Sequence, residues 1–171
     1  MRLVPTPVAS QLTGLSTEKL REWTSRRALV PADVRPQQKG SPAQFNWQTI
    51  LILRVAVLLR DRFGVELQFH KDNFAKLRKV LRSESFISLW GRRLALTSQG
   101  ELSLLDDQAP LPADDAIIIG LDPHLLVIRD GFALPDAAAV TGQLDMFSLP
   151  SVRAVAQPLK AANGRERRRS A

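Results

Sequence analysis

Residues 47–63 constrain the fold more than any other stretch. Asn46 is a good helix N-cap and Gly64 a good stop. Between them Ile50, Leu51, Leu53, Ala56, Val57, Leu58 and Phe63 spread apolar side chains over a wide arc. A helix with so broad an arc needs cover on more than one side, so other parts of the chain must pack around it. The run Ile50 to Leu59 is interrupted by Arg54 and is too short and too charged to cross a bilayer. The 171 residues allow one domain or two small ones, and 44% hydrophobic residues suffice for a core. Met1 to Leu15 lacks a basic region followed by an apolar run. A cytoplasmic location without a membrane partner is the expectation.

The stretch from Pro7 to Pro31 reads as helix, tight turn, helix and exit into a basic loop. Val8, Ala9 and Leu12 give the first helix its apolar face, and Gly14 ends it. Leu15 fits between the two helices. Ser16 N-caps a second helix expected from Thr17 to about Arg27, with Leu20 and Trp23 on its inner stripe. Glu18 near its start and Arg26 and Arg27 near its end suit the helix dipole. Such a pair places one short helix in a DNA groove with its N-terminal part foremost. The outward positions of that part are Thr17, Glu18 and Arg21, expected to meet base edges. Arg21 can reach guanine O6 and N7 with two hydrogen bonds, or grip a phosphate. Ser16, Lys19, Trp23, Arg26, Arg27, Arg35 and Lys39 are the candidates for backbone contacts, which add affinity and salt dependence but no sequence information.

Residues 31–44 are rich in Pro, Gln and Gly and read as a hairpin loop with Gly40 near its tip, anchored by Val30 and Phe45. Beyond Gly64, Val65 to Phe69 reads as a strand or connector. Lys71 to Leu81 reads as an amphipathic helix with Phe74, Leu77, Val80 and Leu81 on one face. Strands are expected at Phe86 to Leu89, Arg93 to Thr97, Glu101 to Leu104, Ala116 to Gly120 and Leu125 to Ile128, with a hairpin turn at 97–100. Asp106 to Asp115 is a loop, and Asp136 to Thr141 a possible short helix. The expected fold class is α+β. The expected units are a DNA-binding module at 1–64, an interaction or dimerisation region at 65–147, and a disordered basic tail at 148–171.

Charge follows this division. Residues 1–64 carry ten basic and four acidic groups, whereas 106–150 carry one basic and eight acidic. The basic front suits a polyanion, and equally an ordinary solvated surface. No cysteine is present and only two histidines, His70 and His124, which excludes disulfides, thiolate metal sites and a zinc finger. The pairs Asp106-Asp107 and Asp114-Asp115 lie on a loop without histidine neighbours and read as solvated acids. His124 has no assignable nucleophile beside it, and no glycine-rich phosphate loop is present. An enzyme is therefore not expected, nor a cofactor or a metal.

The residues Val8-Ala9, Thr13-Gly14-Leu15-Ser16, Leu20-Arg21-x-Trp23, Leu29-Val30-Pro31, Gly40, Phe45 and the helix with Ile50, Leu53 and Leu59-Arg60 resemble the MerR family of winged helix-turn-helix proteins. The resemblance covers roughly residues 3–63, about a third of the chain. It implies that Arg21 is a recognition-helix arginine, that Trp23 is an aromatic beside the DNA backbone, and that residues 31–45 are a wing. Three features depart from the family. Glu22 stands where Tyr is common, the basic residue between wing glycine and aromatic is missing, and 71–81 is short for a dimerisation helix. The missing basic residue shifts the expected wing contact to Lys39 or Arg35.

Gln143, Leu144, Asp145, Met146 and Phe147 resemble the peptide by which bacterial replication and repair proteins bind the sliding clamp. Leu144, Met146 and Phe147 would fill its apolar pocket and Gln143 would bond at the rim; ordinary core residues fit the same pattern. Three roles follow. The first is a sequence-specific duplex-DNA regulator, as a homodimer built through 84–130 or as a monomer. The second is a replication or partition adaptor of plasmid or phage type with the clamp as partner. The third is a protein-interaction module.

Overall fold

A computed structural model describes residues 2–38 and 41–134. Strand β1 (Val4–Pro5) leads into helices α1 (Thr6–Thr13) and α2 (Thr17–Arg21), and α2 continues as a single π-helical turn, Glu22–Arg26. After a loop come β2 (Gln44–Phe45), helix α3 (Trp47–Phe63), a 3-10 turn (Leu67–His70) and α4 (Lys71–Ser83). A second 3-10 turn (Ile87–Leu89) precedes β3 (Arg93–Thr97), β4 (Leu102–Leu105), β5 (Ala116–Gly120) and α5 (Asp122–Phe132). The fold is mixed α+β, with five α-helices and two small antiparallel sheets among the described residues. In one, Val4 pairs with Phe45. In the other the order is β4-β3-β5, with Leu94 between Leu104 and Ile119.

Local chemistry sets the boundaries. Pro7 fits the first turn of α1, where no backbone N–H is needed, and Gly14 ends that helix at φ 75°. The Ser16 hydroxyl accepts from the Lys19 N–H at 3.2 Å, and the Asn46 side chain accepts from the Thr49 N–H at 2.7 Å. Helix α3 is the centre of the molecule. Ile50, Leu51, Ile52, Leu53, Val55, Ala56 and Leu59 are fully buried, and α1, α4 and α5 all pack against it. One buried core extends from Val4 to Phe132 and includes Leu67, so it crosses the 64–70 stretch without a break.

Several expectations are corrected. Leu125 to Ile128 is helix, not strand: Asp122 and Pro123 open α5, and Leu121, Leu125, Ile128 and Phe132 repeat at helical spacing and are fully buried. Phe86 to Leu89 is a 3-10 turn. It presents Phe86 edge-on to Trp47 and Trp90, with ring centres 5.4 and 6.2 Å away. Val65 to Phe69 is no strand but runs into the first 3-10 turn. Val80 is 45% exposed and lies off the inner face of α4, which buries Phe74, Leu77 and Leu81. Phe63, at the end of α3, is half exposed. The candidate helix 136–141, the peptide 143–147 and the tail 148–171 lie outside the described residues.

Two polar joints fix the elements around α3. Asp33 Oδ1 accepts from Arg78 Nη2 at 2.6 Å and from Asn46 Nδ2 at 2.8 Å, while its Oδ2 accepts from the Asn46 backbone N–H at 2.8 Å. Arg78 Nη1 donates to the Pro31 carbonyl at 2.7 Å. One largely buried ion pair thus ties the loop, the start of α3 and α4 together. At the other side, Arg2 Nη1 donates to the Phe132 carbonyl at 2.6 Å. There α5 lies so close to α1 that a Cβ on Gly131 would come within 2.4 Å of Leu12.

Two outcomes follow. Asp33→Ala leaves the Arg78 guanidinium buried without its counter-charge and is expected to cost about 2–4 kcal/mol in urea denaturation. His124 is buried, and its pKa falls to about 4 from burial first and the Arg54 charge second. The unfolded chain takes up that proton near pH 6.5 while the folded chain does not until about 4. The His124 contribution is therefore complete above pH 6.5 and lost as pH falls towards about 4. A melting-temperature profile should fall across that window, and His124→Gln should flatten it.

Candidate nucleic-acid interface

The outer face of α2 and its π turn stand across a groove from the 31–45 loop. Thr17, Glu18, Arg21 and Arg26 line one wall, while Pro36, Gln38 and Ser41 line the other. Leu20 and Phe45, both buried, contribute to its lining, and the groove holds about 770 Å³. β2 pairs with β1, which leads directly into α1, while Gln44 exchanges backbone hydrogen bonds with Val34. The loop is thereby held beside the helix pair from both of its ends.

The π turn shapes the lower part of this wall. The Arg27 N–H donates to the Glu22 carbonyl at 2.8 Å, a five-residue step in place of the usual four. The widened turn ends at Ala28, whose φ of 48° lies in the left-handed region, and the Leu29 N–H returns to the Trp23 carbonyl at 2.8 Å. Trp23 is 2% exposed and sits inside, with the Arg60 guanidinium 4.8 Å from its ring centre.

The expected contact residues divide into groups. Thr17, Glu18, Arg21 and Arg26 share the groove wall and are exposed. Among the described residues Arg21 and Arg26 make no hydrogen bond or salt bridge, so both heads are available to an anion. Lys19 and Arg27 are neighbours of that wall but are engaged by Glu22, at 3.0 and 2.7 Å. The hydrogen bond from Lys19 is the largest effect on the Glu22 carboxyl; burial opposes it, and the charges of Arg27, Lys19 and Arg26 help to hold the carboxyl below the usual carboxylate range. Ser16 is exposed, but its hydroxyl is committed to the helix cap. Arg35 is exposed on the loop and lies off the groove lining. Trp23 does not reach this surface, because its ring is in the core. Lys39 and Gln143, Leu144, Met146 and Phe147 lie outside the described residues.

Thr24, Ser25, Gln38 and Ser41 also line the groove and were not singled out in the sequence. Thr24 and Ser25 come into the wall through the π turn, for which sequence periodicity carries no signal. The acidic loop faces other partners: Asp106 pairs with Arg92 at 3.0 Å, and Gln99 donates to Asp114 at 3.3 Å. Among the described residues no group of three or more His, Cys, Asp or Glu could hold a metal ion, and no helix is long and apolar enough to cross a membrane. Comparison with known protein families finds none that matches this chain, and comparison with curated proteins also finds no match.

Ala28 supplies a direct test of the π-turn geometry. A left-handed alanine costs roughly 1–2 kcal/mol, of which the greater chain entropy of glycine returns about half. Ala28→Gly is expected to raise stability by about 0.5–1 kcal/mol in urea denaturation.

Proposed function

We propose that this chain binds duplex DNA through the α2 groove as a winged helix-turn-helix module, with α2 as the recognition helix and residues 31–45 as the wing. The observation that carries the reading is the pair of guanidinium groups, Arg21 and Arg26, on a groove wall between a helix and a paired loop, neither of them in a hydrogen bond or salt bridge among the described residues. Phosphate binding needs such free cations, and base readout needs a long donor on an exposed helix face. The MerR-like residues of the first third support the same reading: the buried Leu15, Leu20, Leu29 and Phe45 hold the helix pair against the loop.

In this reading Arg21 meets a guanine edge or a phosphate, Thr17 and Glu18 flank it, and Arg26 grips the backbone. Arg35 and Lys39 serve flanking phosphates. Lys19 and Arg27 add little while Glu22 holds them. A single short helix gives few base contacts, so a homodimer on a two-fold operator and a role in transcriptional regulation, in the cytoplasm, complete the proposal.

The test is fluorescence anisotropy on duplexes enriched from a random pool, at two salt concentrations. Arg21→Ala should weaken the preferred duplex by roughly 5- to 150-fold, the range of one bidentate contact. Glu22→Gln should strengthen binding and steepen its salt dependence, because it frees Lys19 and Arg27 and removes a negative charge from the interface. If Arg21→Ala binds the selected duplex as wild type does, the recognition-helix assignment is wrong.

A further inference from the structure

A second cavity, of about 580 Å³, lies between α3, β5 and the first turn of α5. Val57, Leu58, Phe63 and Ile118 make its walls apolar, and Arg54 and His124 bring polar groups into it. Its size is that of an ordinary small-molecule site.

The charge in this cavity is not balanced. Arg54 is half buried on the central helix. One of its terminal N–H groups donates to the Leu12 carbonyl, and its Nε is buried with no partner. No carboxylate pairs with it among the described residues, and burial pushes its pKa down. His124 is 8% exposed, and its Nδ1 is likewise buried with no partner. Asp61 is at the cavity too, but Arg60 holds it at 2.5 Å, and Arg62 adds a second positive charge at the lining. A buried guanidinium is normally paired, because its desolvation is costly until an anion offsets it.

We propose that this cavity binds a small organic monocarboxylate with an apolar body. The carboxylate lies on the Arg54 guanidinium, the neutral imidazole of His124 supplies one N–H beside it, and the hydrocarbon part rests on Val57, Leu58, Phe63 and Ile118. The apolar walls hold the body of such a ligand, which inorganic phosphate does not have. The inference does not depend on DNA binding.

Calorimetric titration of the full chain with octanoate, acetate, octan-1-ol and inorganic phosphate tests it. Octanoate is expected to bind saturably, about tenfold or more tighter than the other three, since it alone supplies both the charge and the apolar body. Arg54→Gln should bring octanoate down to the level of octan-1-ol. Because that variant also loses the bond to Leu12, a second one guards the test. Gly120 lines the cavity, has an ordinary backbone conformation, and has no atom within 4 Å of where a Cβ would stand. Gly120→Leu should therefore fold and weaken octanoate binding by about tenfold. Octanoate binding no tighter than acetate or phosphate, or unchanged in Gly120→Leu, overturns the proposal, as does full octanoate affinity in a folded Arg54→Gln protein.

Discussion

Helix α3 must be dry on almost every side, and the remainder of the molecule is arranged to make it so. Its seven fully buried apolar residues face α1, α4 and α5 in turn, so no single partner helix could satisfy it. Burial of each of the six larger ones, Ala56 apart, contributes about 1.5–3 kcal/mol. The groove inherits its geometry from this helix. The Asn46 cap that starts α3 is bonded to Asp33, the third residue of the 31–45 loop. The positions of α1 and the loop are thus both measured from the same helix, one from its side and one from its end.

Much of this arrangement was legible because it rests on short-range rules. Gly14, Ser16, Asn46 and Gly64 mark helix ends by their own backbone chemistry, and the broad arc of α3 states its own burial. What escaped depends on long-range packing or on an unusual period. Leu125 to Ile128 reads as a strand only if the window stops there. Extended to Leu121 and Phe132, the same residues show helical spacing. Trp23 shares the inner stripe of α2 with Leu20 by spacing, and it is buried there, whereas the family resemblance alone put its ring beside the DNA backbone. Val80 fits the apolar face of α4 by type, yet the face that docks is the one carrying Phe74, Leu77 and Leu81. Arg54 did leave a mark, as the one charge in an apolar run, but its meaning needed His124, seventy residues away, beside it.

Net charge is a poor guide to the charge this surface presents. The first 64 residues hold ten basic side chains. Glu22 takes up two of them, Arg60 lies over Trp23 beside Asp61, and Arg54 is committed to the core side of α3. Among the described residues, the cations of the groove wall outside any hydrogen bond or salt bridge reduce to Arg21 and Arg26. Two cations in a fixed frame favour register over raw affinity, since affinity from backbone neutralisation scales with the number of charges released.

The bond from Arg2 to the Phe132 carbonyl joins the first described residue to the last described helix. A ribosome makes these two partners far apart in time. α1 and α2 are made before the helix that Leu12 packs against and the carbonyl that holds Arg2, which lie at the far end of the described core. Early segments of such a chain wait with apolar surface uncovered, and contacts of this sequence separation close slowly. The apolar face of α1 that carries Leu12 is therefore covered only once α5 has been made and has docked.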